Sequence, residues 1–190
     1  MNWILASGSP RRRELLEMLG VPDLTIRPAK GPERATPGAG PEQTVRELAL
    51  HKAQEVAQTC APEDIIIAAD TIVYLDGAIL GKPKNHDDAV RMLTALSGRE
   101  HIVYTGVAVL RGGELRQAAE HTAVRFRTLT PAEIERYIAP GEPMDKAGAY
   151  GIQGRGALFV AHLDGDYFNV MGLPLCRLGQ LLNELGVELL

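Results

Sequence analysis

The chain of 190 residues carries 24 acidic against 20 basic side chains, a net charge of −4, and only 5% aromatic residues. That balance argues against a surface for nucleic-acid polymers and against the aromatic platforms on which single-stranded bases stack. The length suffices to bury a substantial core as one domain or two lobes.

Residues 2–6 read as a buried strand. This first apolar run is short and is followed by charge, so no signal peptide is expected. Ser9 fits an N-cap and Pro10 the first position of a helix over 10–20 that ends at Gly20. Residues 27–43, rich in Pro and Gly, suggest a mobile loop over a site or an edge. A helix follows from about Pro41 to Cys60, with Val45, Leu48, Ala49 and Val56 as its apolar stripe and Lys52 near the middle of that stripe. The β-branched run over 64–75 predicts a central strand buried on both faces, interrupted by Asp70 and Thr71. A short strand near 78–80 leads into Gly81-Lys82-Pro83, and 86–97 predicts a helix. Strands over 101–111 and 117–128 join through Gly112-Gly113, a hairpin signal. Thr130-Pro131 opens a helix to about Ala139. Residues 140–156 are Gly-rich and irregular, and a strand near 157–163 and a helix over 174–185 complete the chain. Strands alternating with helices, plus one hairpin, imply an α/β fold with a mixed sheet and flanking helices. Sites in such sheets open at strand ends, where Ser7–Arg12, Asp70-Thr71 and Lys82 fall. No stretch is long enough to span a bilayer, and the separated Cys60 and Cys176 fit free thiols, so a soluble cytoplasmic protein without a membrane partner is expected.

Arg11, Arg12 and Arg13 occupy the first turn of the first helix, where cations oppose the helix dipole. At about 100° per residue, Arg12 shares the inward stripe of Leu15, Leu16 and Leu19, and Arg11 lies at its edge. Arg13 falls on the outer side, four residues before Glu17, as half of a surface ion pair. A helix start bearing inward guanidinium groups suits an anion such as phosphate. Lys52, set in an apolar stripe, must snorkel, pair with a carboxylate or await an anion; a plain ion pair with Asp70 or Glu33 is the structural alternative. Together, Arg11, Arg12, Lys52 and Lys82 suffice to neutralise a triphosphate, each charge-assisted contact contributing ~1.5–3 kcal/mol. Asp70, an acid in an apolar strand, is the best candidate to bind a metal or activate water, with Glu33 second, although a solvated loop glutamate fits Glu33 equally well. Mg²⁺ needs only one or two carboxylates beside phosphate oxygens. The chain has no GxxxxGK[ST] motif, and its five histidines show no ligand spacing.

The segments LASGSPRR at 5–12, Lys52, ADTIV at 69–73, GKP at 81–83, LSGR at 96–99, DKAGAYGIQGRGALFV at 145–160 and GDYFNVMGLPL at 165–175 resemble the Maf family. This is the septum-formation-inhibitor-like group of nucleoside triphosphate pyrophosphatases. The resemblance covers nearly all of residues 1–190, which it implies to be one Maf-like domain. It implies an elongated central sheet in two lobes around a cleft, as in the inosine triphosphate pyrophosphatases, and often a homodimer. It also implies cleavage of a nucleoside triphosphate between the α and β phosphates with Mg²⁺, Mn²⁺ or Co²⁺. In that resemblance Asp70 accepts the proton of water and helps hold metal. Lys52 and Lys82 act in catalysis, and Ser7, Ser9, Arg11 and Arg12 bind substrate. Glu33 matches an acidic position often preceded by a second acid, here replaced by Pro32.

Arg12, Thr71 and Gln153 resemble the branch acting on dTTP and UTP. The sister branch, acting on 7-methyl-GTP, has Gln after the aspartate and Glu in place of Gln153. A neutral carboxamide can pair with both N3–H and a carbonyl of uracil or thymine, which agrees with that division. A nucleotide-binding module regulating cell division, and a pyrophosphatase broad enough to accept CTP or modified pyrimidines, are the alternative readings.

Overall fold

The apolar run Ile65–Leu75 becomes β3, the strand about which the sheet is arranged in a computed structural model that describes residues 1–189. Ahead of it come β1 (Trp3–Leu5), α1 (Pro10–Met18), β2 (Leu24–Ile26) and α2 (Pro41–Ala57). After it come β4 (Ala78–Leu80), α3 (His86–Leu96), β5 (Glu100–Arg111), β6 (Glu114–Phe126) and α4 (Pro131–Ile138). Three 3₁₀ turns at Glu142–Asp145, Ala147–Ala149 and Gly154–Phe159 lead to β7 (Val160–Asp164), α5 (Tyr167–Met171) and α6 (Leu175–Glu184). The described strands form one mixed sheet in the order β2-β1-β3-β5-β6-β7, with β4 paired to β3. β1 runs parallel to both β2 and β3, whereas β4 is antiparallel to β3 and β7 to β6. The α/β class with a mixed sheet is therefore as the alternation of elements predicts.

Two short elements escape the sequence pattern. β2 is three residues long with two of them exposed, and α5 is a five-residue helix, too brief for either period to register. Gly112 and Gly113 adopt φ of 59° and 82°, the left-handed pair that a two-residue hairpin turn between β5 and β6 requires. α4 begins with a full capping box: Thr130 accepts from the Glu133 amide, and the Glu133 carboxylate accepts from the Thr130 amide.

The described chain divides into two compact units. The first comprises Met1–Asp70, Thr105–Glu120 and Gly172–Leu190, and the second Thr71–Tyr104 and His121–Met171. In the first, α2 lays Ala49, Ala53 and Val56 on Ile4, Ala6, Ile66, Ala68 and Ala108. The small residues bring helix and sheet into backbone contact. A Cβ on Gly106 of β5 would lie 2.1 Å from the carbonyl oxygen of Val45 and 2.4 Å from its carbon. In the second unit, α3 and α4 pack Leu93, Leu96, Ile134 and Tyr137 around Phe126, Tyr150 and Phe159. His101 is enclosed there, 2% exposed, edge-on to Phe126 and Tyr150, with Nε2 2.7 Å from the Tyr150 hydroxyl. No helix among the described residues is long and apolar enough to cross a membrane.

Gly106→Ala forces the helix off the sheet. An overpacking loss of about 3 kcal/mol is expected, read as a lower urea midpoint with unchanged slope. Burial lowers the His101 pKa from 6.5 to about 4. The unfolded chain therefore binds the extra proton first as pH falls, and native stability drops between those two values. The unfolding free energy is expected to fall by about 3 kcal/mol across that window, and His101→Gln to flatten this slope in urea titrations run at stepped pH.

Candidate active site

Strand alternation sets the centre of the site. Ile66 and Ala68 face α2, so Asp70, two residues further along β3, points the same way. On α2, Lys52 shares the stripe of Val45, Leu48, Ala49 and Val56. The two side chains meet: Lys52 Nζ donates to Asp70 Oδ1 in a short contact, with side-chain exposures of only 18% and 12%. Glu33 approaches the same ammonium, Oε1 lying 2.9 Å from Nζ, although its own side chain is 65% exposed. Both ion pairs weighed from the sequence thus exist at once. One is enclosed between helix and sheet, and the other reaches in from solvent.

β1 and β3 are parallel, with Leu5 opposite Ile67, so the turn after β1 leaves the sheet beside the Asp70 end of β3. Ser7 sits in that turn, and its Oγ accepts from the Ser9 amide at 3.2 Å and from Arg12 Nη1 at 3.0 Å. Arg12 is buried, as its angular position requires, and its Nε donates to the Gly172 carbonyl at 2.7 Å. Burial lowers the guanidinium pKa, Arg11 adds to that effect, and Asp70 and Glu33 oppose it. Arg11 is half-buried, and Arg13 stands outside in a 2.6 Å pair with Glu17. Ser9 occupies the N-cap position of α1 without a side-chain capping bond. The first unit therefore gathers Ser7, Arg11, Arg12, Glu33, Lys52 and Asp70: three cations against two carboxylates.

The Pro- and Gly-rich segment that carries Glu33 is anchored rather than loose. Glu55 of α2 accepts from the amides of Lys30 and Gly31 at 2.7 to 3.1 Å. Glu47 accepts from the Thr36 amide at 2.7 Å and its hydroxyl at 3.0 Å. The segment thus runs antiparallel along the helix, touching Glu55, Lys52 and Glu47 in turn. A Cβ on Gly31 would fall 2.6 Å from Glu55 Oε2, which explains that glycine. These two glutamates are absent from the sequence-based site, because an acid on the polar side of a helix carries no signal that separates a clamp from a solvated face.

The remaining predicted residues belong to the second unit. Thr71, half-buried, follows Asp70 and points to the opposite face of β3. Lys82 is exposed in the turn after β4, where the Gly81 carbonyl accepts from the Gly148 amide at 3.0 Å. Gln153, half-buried, precedes the 3₁₀ turn Gly154–Phe159. Among the described residues no group of three or more His, Cys, Asp or Glu side chains is placed to hold a metal ion, so a cation held here would rely on Asp70 and Glu33 with oxygens from elsewhere. Asp70 and Thr71 lie in the middle of β3 rather than at a strand end, because the strand continues through them to Leu75. Enclosed cations beside this carboxylate suit a polyanion and a proton transfer next to it.

The chain matches the family model described as "Maf-like protein" over residues 2–185. A protein named dTTP/UTP pyrophosphatase from Moorella thermoacetica is 52% identical over 187 residues, 97% of this chain and 95% of the relative. Proteins of the same name from Dictyoglomus thermophilum and Chromobacterium violaceum are 49% and 51% identical over 189 residues each, covering 98% and 97% of this chain and 97% and 95% of their own lengths. Among solved structures, a nucleoside-triphosphatase / dITP/XTP pyrophosphatase from Mycobacterium abscessus aligns with a TM-score of 0.44 at 18% identity, over 74% of this chain and 93% of its own. On the family match and these relatives, the chain belongs to the Maf-like protein family.

Proposed function

We propose that this protein is a cytoplasmic pyrophosphatase that hydrolyses dTTP and UTP to the monophosphate and pyrophosphate, acting as a homodimer. The observation that carries the chemistry is the enclosed Lys52–Asp70 pair beside buried Arg12, with Glu33 as the solvent-side partner. The substrate class follows the names of the relatives.

Arg11, Arg12 and Lys52 bind phosphate oxygens, with Ser7 fixing the Arg12 fork and Ser9 shaping the same turn. Glu33 is the more exposed of the two partners of Lys52, so an incoming phosphate takes its place on the ammonium at lower cost than it would that of Asp70. Asp70 bonds Lys52 through Oδ1, and no described residue hydrogen-bonds Oδ2, which takes the proton of the attacking water. The water oxygen bonds to the α-phosphorus as the bond from that phosphorus to the bridging oxygen breaks, and pyrophosphate leaves. Two hard carboxylate oxygens around one cation position also fit Mg²⁺, Mn²⁺ or Co²⁺, with Asp70 and Glu33 as the residues that would hold it. When bound, such an ion neutralises phosphate charge. Lys82 enters as a further phosphate cation, and Thr71 and Gln153 as readers of the base, on the strength of their motifs.

In a pyrophosphate-release assay, Asp70→Asn is expected to lower kcat for dTTP by about 10²–10⁴ while melting within a few degrees of the parent. Full activity in this variant removes Asp70 from the reaction. Gln153→Glu sets a carboxylate against a pyrimidine carbonyl. Its kcat/KM for dTTP and UTP is expected to fall by about tenfold or more relative to other nucleoside triphosphates. An equal loss on every nucleotide contradicts the base-reading role.

A further inference from the structure

The turn that carries Gln153 has no regular backbone ladder of its own, and it is boxed instead by three side chains of the second unit. Tyr137 of α4, 3% exposed, accepts a hydrogen bond at its hydroxyl from the Gly151 amide at 3.1 Å. The same hydroxyl donates to Glu142 Oε1 at 3.3 Å. Glu142 in turn borders Gly154, where an added Cβ would lie 3.2 Å from Oε1 on a backbone already at φ +64°. Lys146 closes the third side. Its Nζ donates to the Glu142 carbonyl at 2.5 Å, and its stem lies 3.0 Å from where a Gly151 Cβ would be. Across the turn, a Cβ on Gly156 would fall 2.1 Å from the Gly151 carbonyl oxygen and 3.0 Å from the Tyr137 hydroxyl. The stretch 151–156 is thus folded on itself, and the Tyr137 oxygen touches both of its ends.

We propose that Tyr137 is a positioning residue for nucleotide selection, its hydroxyl fixing the turn from which Gln153 reads the base. The proposal rests on the base-reading role given to Gln153 above. Three features make the hydroxyl a positioning device rather than a packing accident. The Gly151 amide is buried, so losing its acceptor leaves a donor that water reaches only if the turn opens. Burial pushes the Tyr137 phenol pKa upward, with Glu142 and Asp145 adding to it, so the oxygen stays neutral and can donate to Glu142 while accepting from Gly151. The ring is held edge-on against Phe159, 4.8 Å between centroids, at the far end of the 3₁₀ turn that Gln153 precedes. Ring and hydroxyl therefore grip the segment 151–159 at two places. Gln153 makes no hydrogen bond with any described residue, so the direction of its carboxamide comes from the backbone of this turn.

Tyr137→Phe removes one oxygen and keeps the ring. Amide hydrogen exchange without nucleotide is expected to quicken at 151–156 by tenfold or more and to stay unchanged across β1, α2 and β3. In steady-state assays the kcat/KM ratio of dTTP to GTP is expected to fall at least fivefold, mainly through a higher KM for dTTP, with kcat changing less than twofold. Glu142→Gln, which keeps an acceptor for the hydroxyl, is expected to retain most of the parent ratio. Unchanged exchange at 151–156 overturns the positioning role whatever the substrate proves to be. Faster exchange with an unchanged dTTP to GTP ratio overturns the link to selection. A parent protein inactive on dTTP, with exchange in the variant still quickened, overturns the base-reading assignment and leaves the hydroxyl as the clamp of the turn.

Discussion

An ammonium group enclosed between a helix and a sheet must be answered by negative charge, and the environment of Lys52 follows from that requirement. Its stem lies among small apolar residues of α2, and its nitrogen reaches Asp70 on β3 and Glu33 on the preceding segment. With two carboxylates on one ammonium, either can answer the charge when the other is removed. The two partners differ in the respect that matters. Asp70 is fixed on β3, inside the sheet between β1 and β5, while Glu33 is carried on an irregular segment at the surface. A single cation thereby has one enclosed and one solvent-facing counter-charge. Arg12, buried nearby, donates to a serine hydroxyl and a backbone carbonyl, and Asp70 and Glu33 both act on its charge.

The sequence made much of this legible through periodicity. The angular position of Arg12 beside Leu15 and Leu16 predicts its burial, and the 52% identity with a full-length relative agrees with a resemblance carried by long motifs. Lys52 is marked by its place in an apolar stripe, and Asp70 by interrupting a β-branched run. What periodicity could not show is which carboxylate meets which cation, since Asp70 and Glu33 both fit Lys52 and the structure uses both. The 27–43 segment illustrates the opposite failure. Its Pro and Gly content predicts looseness, but composition describes only intrinsic preference and takes no account of the glutamates on α2 that hold its amides. The brief β2 and α5 are fixed by neighbours in space, which no local window contains.

Glycine serves two separate purposes in this chain. At Gly112 and Gly113 it supplies a left-handed backbone for a hairpin. At Gly106 and Gly156 the conformation is ordinary, and what matters is the missing Cβ, because another backbone lies where that atom would be. The two kinds look alike in sequence, and the second reports a close approach of backbone to backbone, across the helix and sheet at Gly106 and within one turn at Gly156.

The contact at Gly106 bears on how this protein can move. α2 rests on β5 through bare backbone, with a peptide carbonyl against an α-carbon and no side chain between to bend or change rotamer. A helix seated in that way resists sliding or rocking over the sheet, so Lys52 keeps a nearly constant height above Asp70. The segment bearing Glu33 is tied to the same helix by hydrogen bonds to Glu55 and Glu47 and by the Glu33–Lys52 ion pair. The register between ammonium and strand carboxylate is thus set by backbone against backbone, and that of the outer carboxylate by polar contacts along the helix.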